Sequence, residues 1–221
     1  MGRRRADVRR EEILRAAATV VSRTGFARTR AADVAAELGV STALVFYHFD
    51  TKERLLSEAF GFAAREDLER LHRAVRSRGT CTQRLKAVLR LYAPAGDAPG
   101  WTLDIDAWAE ALRTPEIRTA SCEVDRQWRE AIETVVRDGV GAGEFTCPDP
   151  AASALRIAAM LDGLAVATQV RLSVRRSQAA LWAAESAAHE LGLPPDALLL
   201  RARRPRRDQL RPASAPGRPG P

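Results

Sequence analysis

The sequence predicts an all-α fold in which a small N-terminal helical unit precedes a larger helical body. The 221 residues are 46% hydrophobic but only 5% aromatic, and many segments are rich in alanine and leucine. Alanine and leucine favour helices, whereas the β-branched and aromatic runs that favour strands are scarce. Apolar residues also recur at helical spacing between Gly and Pro breaks. We find no convincing strand and no internal repeat.

The first helix is predicted from about Asp7 to Thr24. Gly25 ends it, because glycine adopts the left-handed cap conformation at little cost. The apolar stripe that would face a core consists of Ile13, Leu14, Ala17, Val20 and Val21.

Two short helices are predicted next. The second begins near Thr29, whose hydroxyl is suited to cap it, carries Asp33 in its first turn and ends at Gly39. The third begins at another good capping residue, Ser41, and stops near Phe49.

The remaining helices form a longer body. A fourth helix is predicted to follow Thr51 and to reach about Arg78, and a Pro- and Gly-rich loop is predicted at 94–100. Five further helices are predicted at residues 82–91, 101–113, 115–140, 150–174 and 178–191. Residues 201–221 hold five Pro and seven Arg, so we expect a disordered tail. The predicted domains are a basic mobile arm (1–10), a head (11–56), a body (57–200) and this tail (201–221).

The charge is concentrated at the two ends. The net charge is +7, of which residues 1–10 contribute +4 and residues 201–221 contribute +6, so the rest of the chain carries −3. Basic ends on a mildly acidic body fit a polyanionic partner. For the C-terminal end, a solvated tail is the simpler interpretation.

Several classes of protein are disfavoured. Cys81, Cys122 and Cys147 are far apart and lack metal-ligand spacing, which favours reduced thiols in a cytoplasmic protein. The N-terminus lacks an apolar signal core, and we find no run near the roughly 18 apolar residues of a membrane span. Phosphate-cradling glycines, a nucleophile elbow and clustered histidines are also missing, so we expect no enzyme, no cofactor and no metal.

Residues 29–49 meet the physical demands of a helix-turn-helix. Two short helices that cross closely need a small residue at the contact, which Ala35 supplies, and a turn that tolerates positive φ, which Gly39 supplies. Four apolar residues would fill the space between the helices: Val34, Leu38, Val40 and Val45. The outer face of the second helix would then show methyl, hydroxyl and aromatic groups, which suit a DNA major groove better than water.

One ordered pattern extends through the first four predicted helices. It comprises Ile13-Leu14-Arg15-Ala16-Ala17, Gly25-Phe26, Thr29, Asp33-Val34-Ala35, Leu38-Gly39-Val40-Ser41 and the continuous run from Phe46 to Leu56. This pattern covers about a quarter of the chain and resembles the N-terminal DNA-binding domain of the TetR family. The resemblance implies a homodimer with a three-helix DNA-binding head and a larger helical body for ligand binding and dimerisation.

The resemblance also implies which side chains meet double-stranded DNA. It places Thr42, Ala43 and Leu44 at base-reading positions. It places Tyr47, His48 and Lys52 at phosphate-contacting positions. Lys52 has independent support, because it begins a helix whose free amides also attract phosphate. A packed, hydrogen-bonded interior histidine is an equally good interpretation of His48. The full candidate DNA-binding set is Thr29, Arg30, Ser41, Thr42, Ala43, Leu44, Phe46, Tyr47, His48 and Lys52.

Some positions depart from the family pattern. Ala43 stands where Gly or Pro is common and Phe46 where Tyr is common, while Ala31 and Ala32 replace larger or polar residues. A ligand-binding or scaffold protein that has lost DNA binding is therefore the alternative that these residues leave open.

The body contains an aromatic and acidic segment. Trp101, Asp104 and Trp108 fall on one face of a predicted helix. With the later run 156–164, this segment resembles the C-terminal domain of the BetI-type subgroup. The tryptophans are either ordinary core or, with Asp104 and Asp125, a cage for a cationic ligand. The candidate ligand-binding residues are Trp101, Asp104, Trp108, Trp128, Met160 and Leu164.

Two further expectations concern the body. Asp162 interrupts an apolar helix, so it needs a polar partner, most simply within its own subunit. The two last helices are expected to pair subunits through Leu155, Ala158, Leu181, Trp182 and Leu191. The resulting hypothesis is a repressor that leaves a palindromic operator when a small molecule binds the body and tilts the fourth helix.

Overall fold

The computed structural model describes residues 2–92 and 99–199, which form nine α-helices and no strand. In chain order the helices are α1 (Gly2–Thr24), α2 (Ala31–Leu38), α3 (Thr42–Phe49), α4 (Lys52–Val75), α5 (Cys81–Tyr92), α6 (Pro99–Ala111), α7 (Pro115–Gly141), α8 (Pro150–Gln169) and α9 (Arg176–Glu190). The all-α prediction is confirmed. The predicted tail at 201–221 and most of the predicted loop at 94–100 lie outside the described residues.

Helix α1 is longer than the sequence predicted. It begins at Gly2, so the backbone of residues 2–10 is helical and continuous with the head, whereas a separate mobile arm was expected. Arg10 contributes to the fold: it forms an ion pair with Glu58 and its guanidinium lies 4.7 Å from the centroid of the Phe49 ring. These contacts join α1 to α3 and α4.

Helix α8 is shorter than predicted. It ends at Gln169 instead of continuing to 174, because the chain reverses towards α9 there. Leu172 adopts a positive φ of 51°, and the amide of Arg171 donates to the carbonyl of Val166 at 3.0 Å. This closure resembles a glycine-ended helix cap, although no glycine marks it in the sequence.

The head has its own hydrophobic core. Ile13, Val20, Val34, Val45 and Phe49 are fully buried in it, and Leu38 and Val40 pack against its edge. α1 packs across α2 and α4, so the three-helix unit is anchored to the start of α4.

Helix α4 belongs to both cores. Leu55 and Ala59 point into the head core, whereas Leu56 and Phe60, one residue further along, point into the body core. One residue corresponds to about 100° of rotation on a helix, so α4 presents a different face to each unit. The predicted domain boundary at 56/57 therefore lies within one continuous helix, which turns one face towards the head and another towards the body.

The body is organised around α7, which packs against α4, α5, α6 and α8. By length and composition alone α8 meets the requirements for a membrane span, which the sequence analysis did not expect. Its apolar residues Ile157, Ala158, Leu161 and Ala165 are buried among neighbouring helices. Burial in the body core thus accounts for one apolar face of α8, whereas other apolar residues, such as Leu155, are exposed.

Candidate functional site

The turn between α2 and α3 has the geometry that the sequence predicted. Gly39 has φ +70°, and Ala35 is buried at the helix crossing. Ser41 caps α3 by accepting a hydrogen bond from the amide of Leu44 at 3.2 Å. Thr51 caps α4 in the same way, through the amide of Arg54 at 3.1 Å. Side-chain caps therefore fix the first residues of both α3 and α4.

The outer face of α3 is open to solvent. Val45 and Phe49 anchor the helix in the head core, and the opposite face carries Ala43, Phe46 and Tyr47. The Tyr47 side chain is 80% exposed and Phe46 is 40% exposed. Large apolar groups held in water by a rigid helix mark a surface shaped for contact with another molecule.

Thr29 does not belong to this surface. It is completely buried, its hydroxyl donates to the carbonyl of Gly25 at 2.7 Å, and it lies 2.8 Å from the hydroxyl of Thr24. The predictions that Thr29 caps α2 and contacts DNA are both wrong, because α2 starts at Ala31 and the hydroxyl is used inside the α1–α2 turn. Arg30 is the capping residue, and its amide donates to the Asp33 carboxylate at 2.9 Å.

The remaining candidate DNA contacts are all at least partly exposed. Ser41 and Arg30 are exposed, while Thr42, Leu44, His48 and Lys52 are partly exposed. The His48 ring meets the Tyr47 ring edge-on at 5.3 Å between centroids. Within the described residues His48 has no hydrogen-bond partner, so the interpretation as a hydrogen-bonded interior histidine is not supported. Ala31 is buried, so its small side chain serves packing of the head.

A second site lies in the body, where α5 and α6 meet α7. A narrow, partly open cavity, with room for little more than one water molecule, is lined here by four helices. Its lining consists of Phe60, Tyr92, Trp101, Asp104, Trp108, Ser121, Val124 and Asp125. We call this the aromatic–acidic cavity.

The aromatic rings of the cavity hold one another in place. The Tyr92 ring stacks on Trp128 at 4.6 Å and lies 5.1 Å from Trp101, whose indole N–H donates to the Tyr92 carbonyl at 3.1 Å. Trp108 meets Trp101 edge-on at 6.1 Å. The two interpretations of the tryptophans thus combine: Trp101 and Trp128 are core residues that also form or support the wall of a cavity.

The carboxylates around the cavity are in unequal environments. Asp67 pairs with Arg70 at 3.0 Å and Asp125 with Arg129 at 3.1 Å. Asp104 has no hydrogen bond or ion pair with any described residue. Burial, followed by the negative charges of Asp67 and Asp162, raises the pKa of Asp104 to about 7. The cavity therefore contains a carboxyl group that lacks a cation.

Asp162 has the partner within the subunit that the sequence suggested. The Tyr92 hydroxyl donates to its carboxylate at 2.7 Å. Burial raises the pKa of Asp162 to about 6, although this hydrogen bond acts in the opposite direction. Burial and the nearby Asp162 also raise the pKa of the Tyr92 hydroxyl, which stays protonated.

The predicted ligand residues lie in different parts of the body. Trp101, Asp104 and Trp108 line the cavity and Trp128 supports it from behind Tyr92. Met160 lies instead in a groove between α8 and α9, and Leu164 packs at the edge of the body core. Sequence reasoning missed Phe60 and Tyr92, because they come from α4 and α5 and no local spacing links them to α6.

The predicted dimer residues divide into two groups. Leu155, Leu181 and Trp182 are exposed on α8 and α9, with Leu155 52% and Trp182 43% exposed. Ala158 and Leu191 are buried within the subunit, so the prediction that they contact a partner is wrong. Helical periodicity indicates apolar positions but does not show which neighbour covers them.

Comparisons with known proteins match both the head and the body of the chain. A family model for the tetR family of bacterial regulatory proteins matches residues 13–59, and one for the BetI-type transcriptional repressor C-terminal domain matches residues 81–192. The second match alone covers just over half of the chain.

Individual proteins show the same likeness. Nucleoid occlusion factor SlmA from Vibrio vulnificus is 32% identical over 133 residues, 58% of this chain, which spans only 65% of that relative's length. A solved regulator from Saccharomonospora viridis, in complex with choline, has a TM-score of 0.73 at 25% identity and covers 84% of this chain and 98% of its own.

The fold is shared more widely still. A TetR transcription regulator from Haloarcula marismortui has a TM-score of 0.72 at 21% identity, over 84% of this chain and 97% of that one. The exposed α3 face, the head-and-body architecture and the two family matches lead to one assignment. The chain belongs to the TetR family of DNA-binding transcription regulators and carries a BetI-type C-terminal domain.

Proposed function

We propose that this protein is a cytoplasmic homodimeric repressor that binds a palindromic operator through α3 and leaves it when a small organic cation occupies the aromatic–acidic cavity. The observation that supports DNA reading is the exposed outer face of α3, fixed by its cap and its buried residues. Paired heads about one helical turn of DNA apart, or a multiple of it, would read the two half-sites.

The cation is inferred from the chemistry of the cavity. Aromatic faces attract cations electrostatically, and they do so most strongly where water is excluded. Asp104 adds a carboxyl group that has no cation in the described structure. Among the described residues no group of three His, Cys, Asp or Glu side chains is placed to hold a metal ion. An organic ammonium fits these features better than a metal ion, and the Saccharomonospora viridis neighbour was solved with choline.

The dimer is inferred from the exposed faces of α8 and α9. Leu155 on α8 and Leu181 and Trp182 on α9 are apolar side chains exposed to water on two adjacent helices. A second copy of the chain would cover them symmetrically and form a four-helix interface.

The experiment begins with selection of bound sequences from random DNA by the full chain. We expect a palindrome, and binding that weakens steeply as salt rises because several phosphates are contacted. Operator affinity is then titrated against choline chloride and against 3,3-dimethyl-1-butanol, its uncharged carbon isostere.

The two compounds separate charge from shape. We expect choline to weaken operator binding by up to about a hundredfold, which corresponds to about 2.7 kcal/mol of coupling, and the isostere to have little effect. Equal effects of both compounds would contradict the cationic effector. Selection that enriches no sequence would contradict operator binding itself, and would favour a ligand-binding protein without DNA recognition.

A further inference from the structure

Helix α6 lies between the aromatic–acidic cavity and the head. Trp101, Asp104 and Trp108 face the cavity, whereas Asp106 lies on the opposite side of the helix. One Asp106 carboxylate oxygen accepts a hydrogen bond from the amide of Phe26 at 2.7 Å. The same helix therefore contacts the cavity on one side and the α1–α2 turn on the other.

The α1–α2 turn is a rigid connector into the helix-turn-helix. Gly25 has φ +81°, and a Cβ added there would come within 3.1 Å of the Asp106 carboxylate. Its carbonyl accepts hydrogen bonds from both the amide and the hydroxyl of the buried Thr29. Phe26 is 1% exposed and leads directly towards α2. A displacement of the Phe26 amide therefore also moves α2, because these contacts leave the turn little conformational freedom.

The cavity is too small to accept an organic cation without moving its walls. Two walls contact the connector: α6 through Asp106, and α4 through Phe60, whose ring meets the Phe26 ring edge-on at 6.0 Å. Displacement of Trp101 or Trp108 by a ligand would carry Asp106 with it, because all three belong to one helix. Packed helices shift as units between discrete arrangements.

We infer that Asp106 is a positioning residue that couples the cavity to the head, by transferring the displacement of α6 to the α1–α2 turn through the Phe26 amide. Asp106 lies outside both the cavity lining and the outer face of α3. Its role is to set the difference in operator affinity between the ligand-bound and the ligand-free protein. The inference rests on the proposed function and names the contact through which regulation passes.

The test uses the full chain and choline as the probe of the cavity. Three quantities are measured for each variant: choline affinity from tryptophan fluorescence without DNA, operator affinity without choline, and the ratio of operator affinities without and with saturating choline. For Asp106→Ala we expect choline affinity within about twofold of wild type, and a ratio that falls at least about tenfold towards one. Asp106→Asn keeps an oxygen that accepts from the Phe26 amide, so it should retain most of the ratio.

Glu110→Ala is the matched control, since it removes an acid from the same helix whose carboxylate bonds locally to Thr114 at 2.6 Å. It should leave the ratio unchanged. If the Asp106→Ala ratio equals that of wild type, the coupling role is overturned while the regulator stands. If choline does not weaken operator binding by the wild-type protein, the proposed effector is wrong, and the coupling role is overturned with it. Circular dichroism melting confirms that each variant is folded.

Discussion

At the scale of single residues, Asp104 and Thr29 show how burial decides what a side chain does. Both are polar and both were candidate contacts in the sequence. Thr29 uses its hydroxyl within the α1–α2 turn and is closed to DNA. Asp104 lacks a described partner, lies in a cavity lined by aromatic rings and has a pKa raised to about 7 by burial. Sequence position alone does not distinguish these two environments.

The raised pKa makes cation binding depend on pH. A cation stabilises the ionised form of Asp104, so below about pH 7 its binding must release a proton. We expect choline affinity to rise from pH 6 to pH 8 and then to level off, as measured by isothermal titration in buffers of different ionisation enthalpy. Asp104→Asn should bind choline weakly and independently of pH. A wild-type affinity that is flat over this range would contradict the role of Asp104.

The same pKa shift has a consequence for stability. The folded-state pKa of Asp104 lies above the unfolded value of about 4, so its favourable contribution is complete at low pH and is lost as pH rises through about 7. Asp104→Asn should therefore stabilise the ligand-free protein at pH 8 by ~1–3 kcal/mol, and much less at pH 5. The exposed Glu66→Gln serves as control and should leave thermal melting unchanged at both values.

At the scale of helices, α2 and α3 depend on a turn that the sequence specified well. Gly39 and Ala35 stand where two crossing helices require them, and both were identified from spacing alone. The helix α8–α9 reversal was not predicted, because Leu172 adopts a positive φ without a glycine signal. The aromatic–acidic cavity was predicted only in part, through residues of α6 and through Asp125 of α7. Phe60 of α4 and Tyr92 of α5 were missed, because they meet these helices only through tertiary packing.

The Gly39 turn predicts the cost of a side chain there. A Cβ at Gly39 would meet no atom within 4 Å, so only the positive φ opposes it. Gly39→Ala should destabilise the protein by about 1 kcal/mol and weaken operator binding, while Gly39→Asn should cost less, because asparagine tolerates this conformation. Denaturant unfolding compares the two. A larger loss for Asn than for Ala would contradict this account of the turn.

At the scale of the whole molecule, α4 packs into two hydrophobic cores, and α6 contacts the α1–α2 turn through Asp106. Leu55 packs in the head and Leu56 in the body, so the two units cannot move without involving α4. The cavity adjoins both α4 and α6, through Phe60 and through the tryptophans. In the proposed function, α4 and α6 are therefore the helices that connect the ligand site with the DNA-binding head.

The proposed operator binding requires a dimer. Trp182→Glu places a charge on the exposed α8–α9 face and should yield monomers by analytical ultracentrifugation, with operator affinity reduced by about a hundredfold or more. Leu112→Glu alters an even more exposed apolar residue, directly after the end of α6, and should remain dimeric. If Leu112→Glu yields monomers and Trp182→Glu remains dimeric, the subunit interface lies elsewhere than on α8 and α9.

The central claim is that the outer face of α3 lies against DNA, and amide hydrogen exchange with and without the selected operator tests it most directly. We expect the operator to slow exchange at residues 42–49 and at the first turn of α4 in the dimer. We expect the exposed face of α7 to be unaffected. Protection elsewhere on the surface, with exchange across α3 unchanged by bound DNA, would contradict the claim.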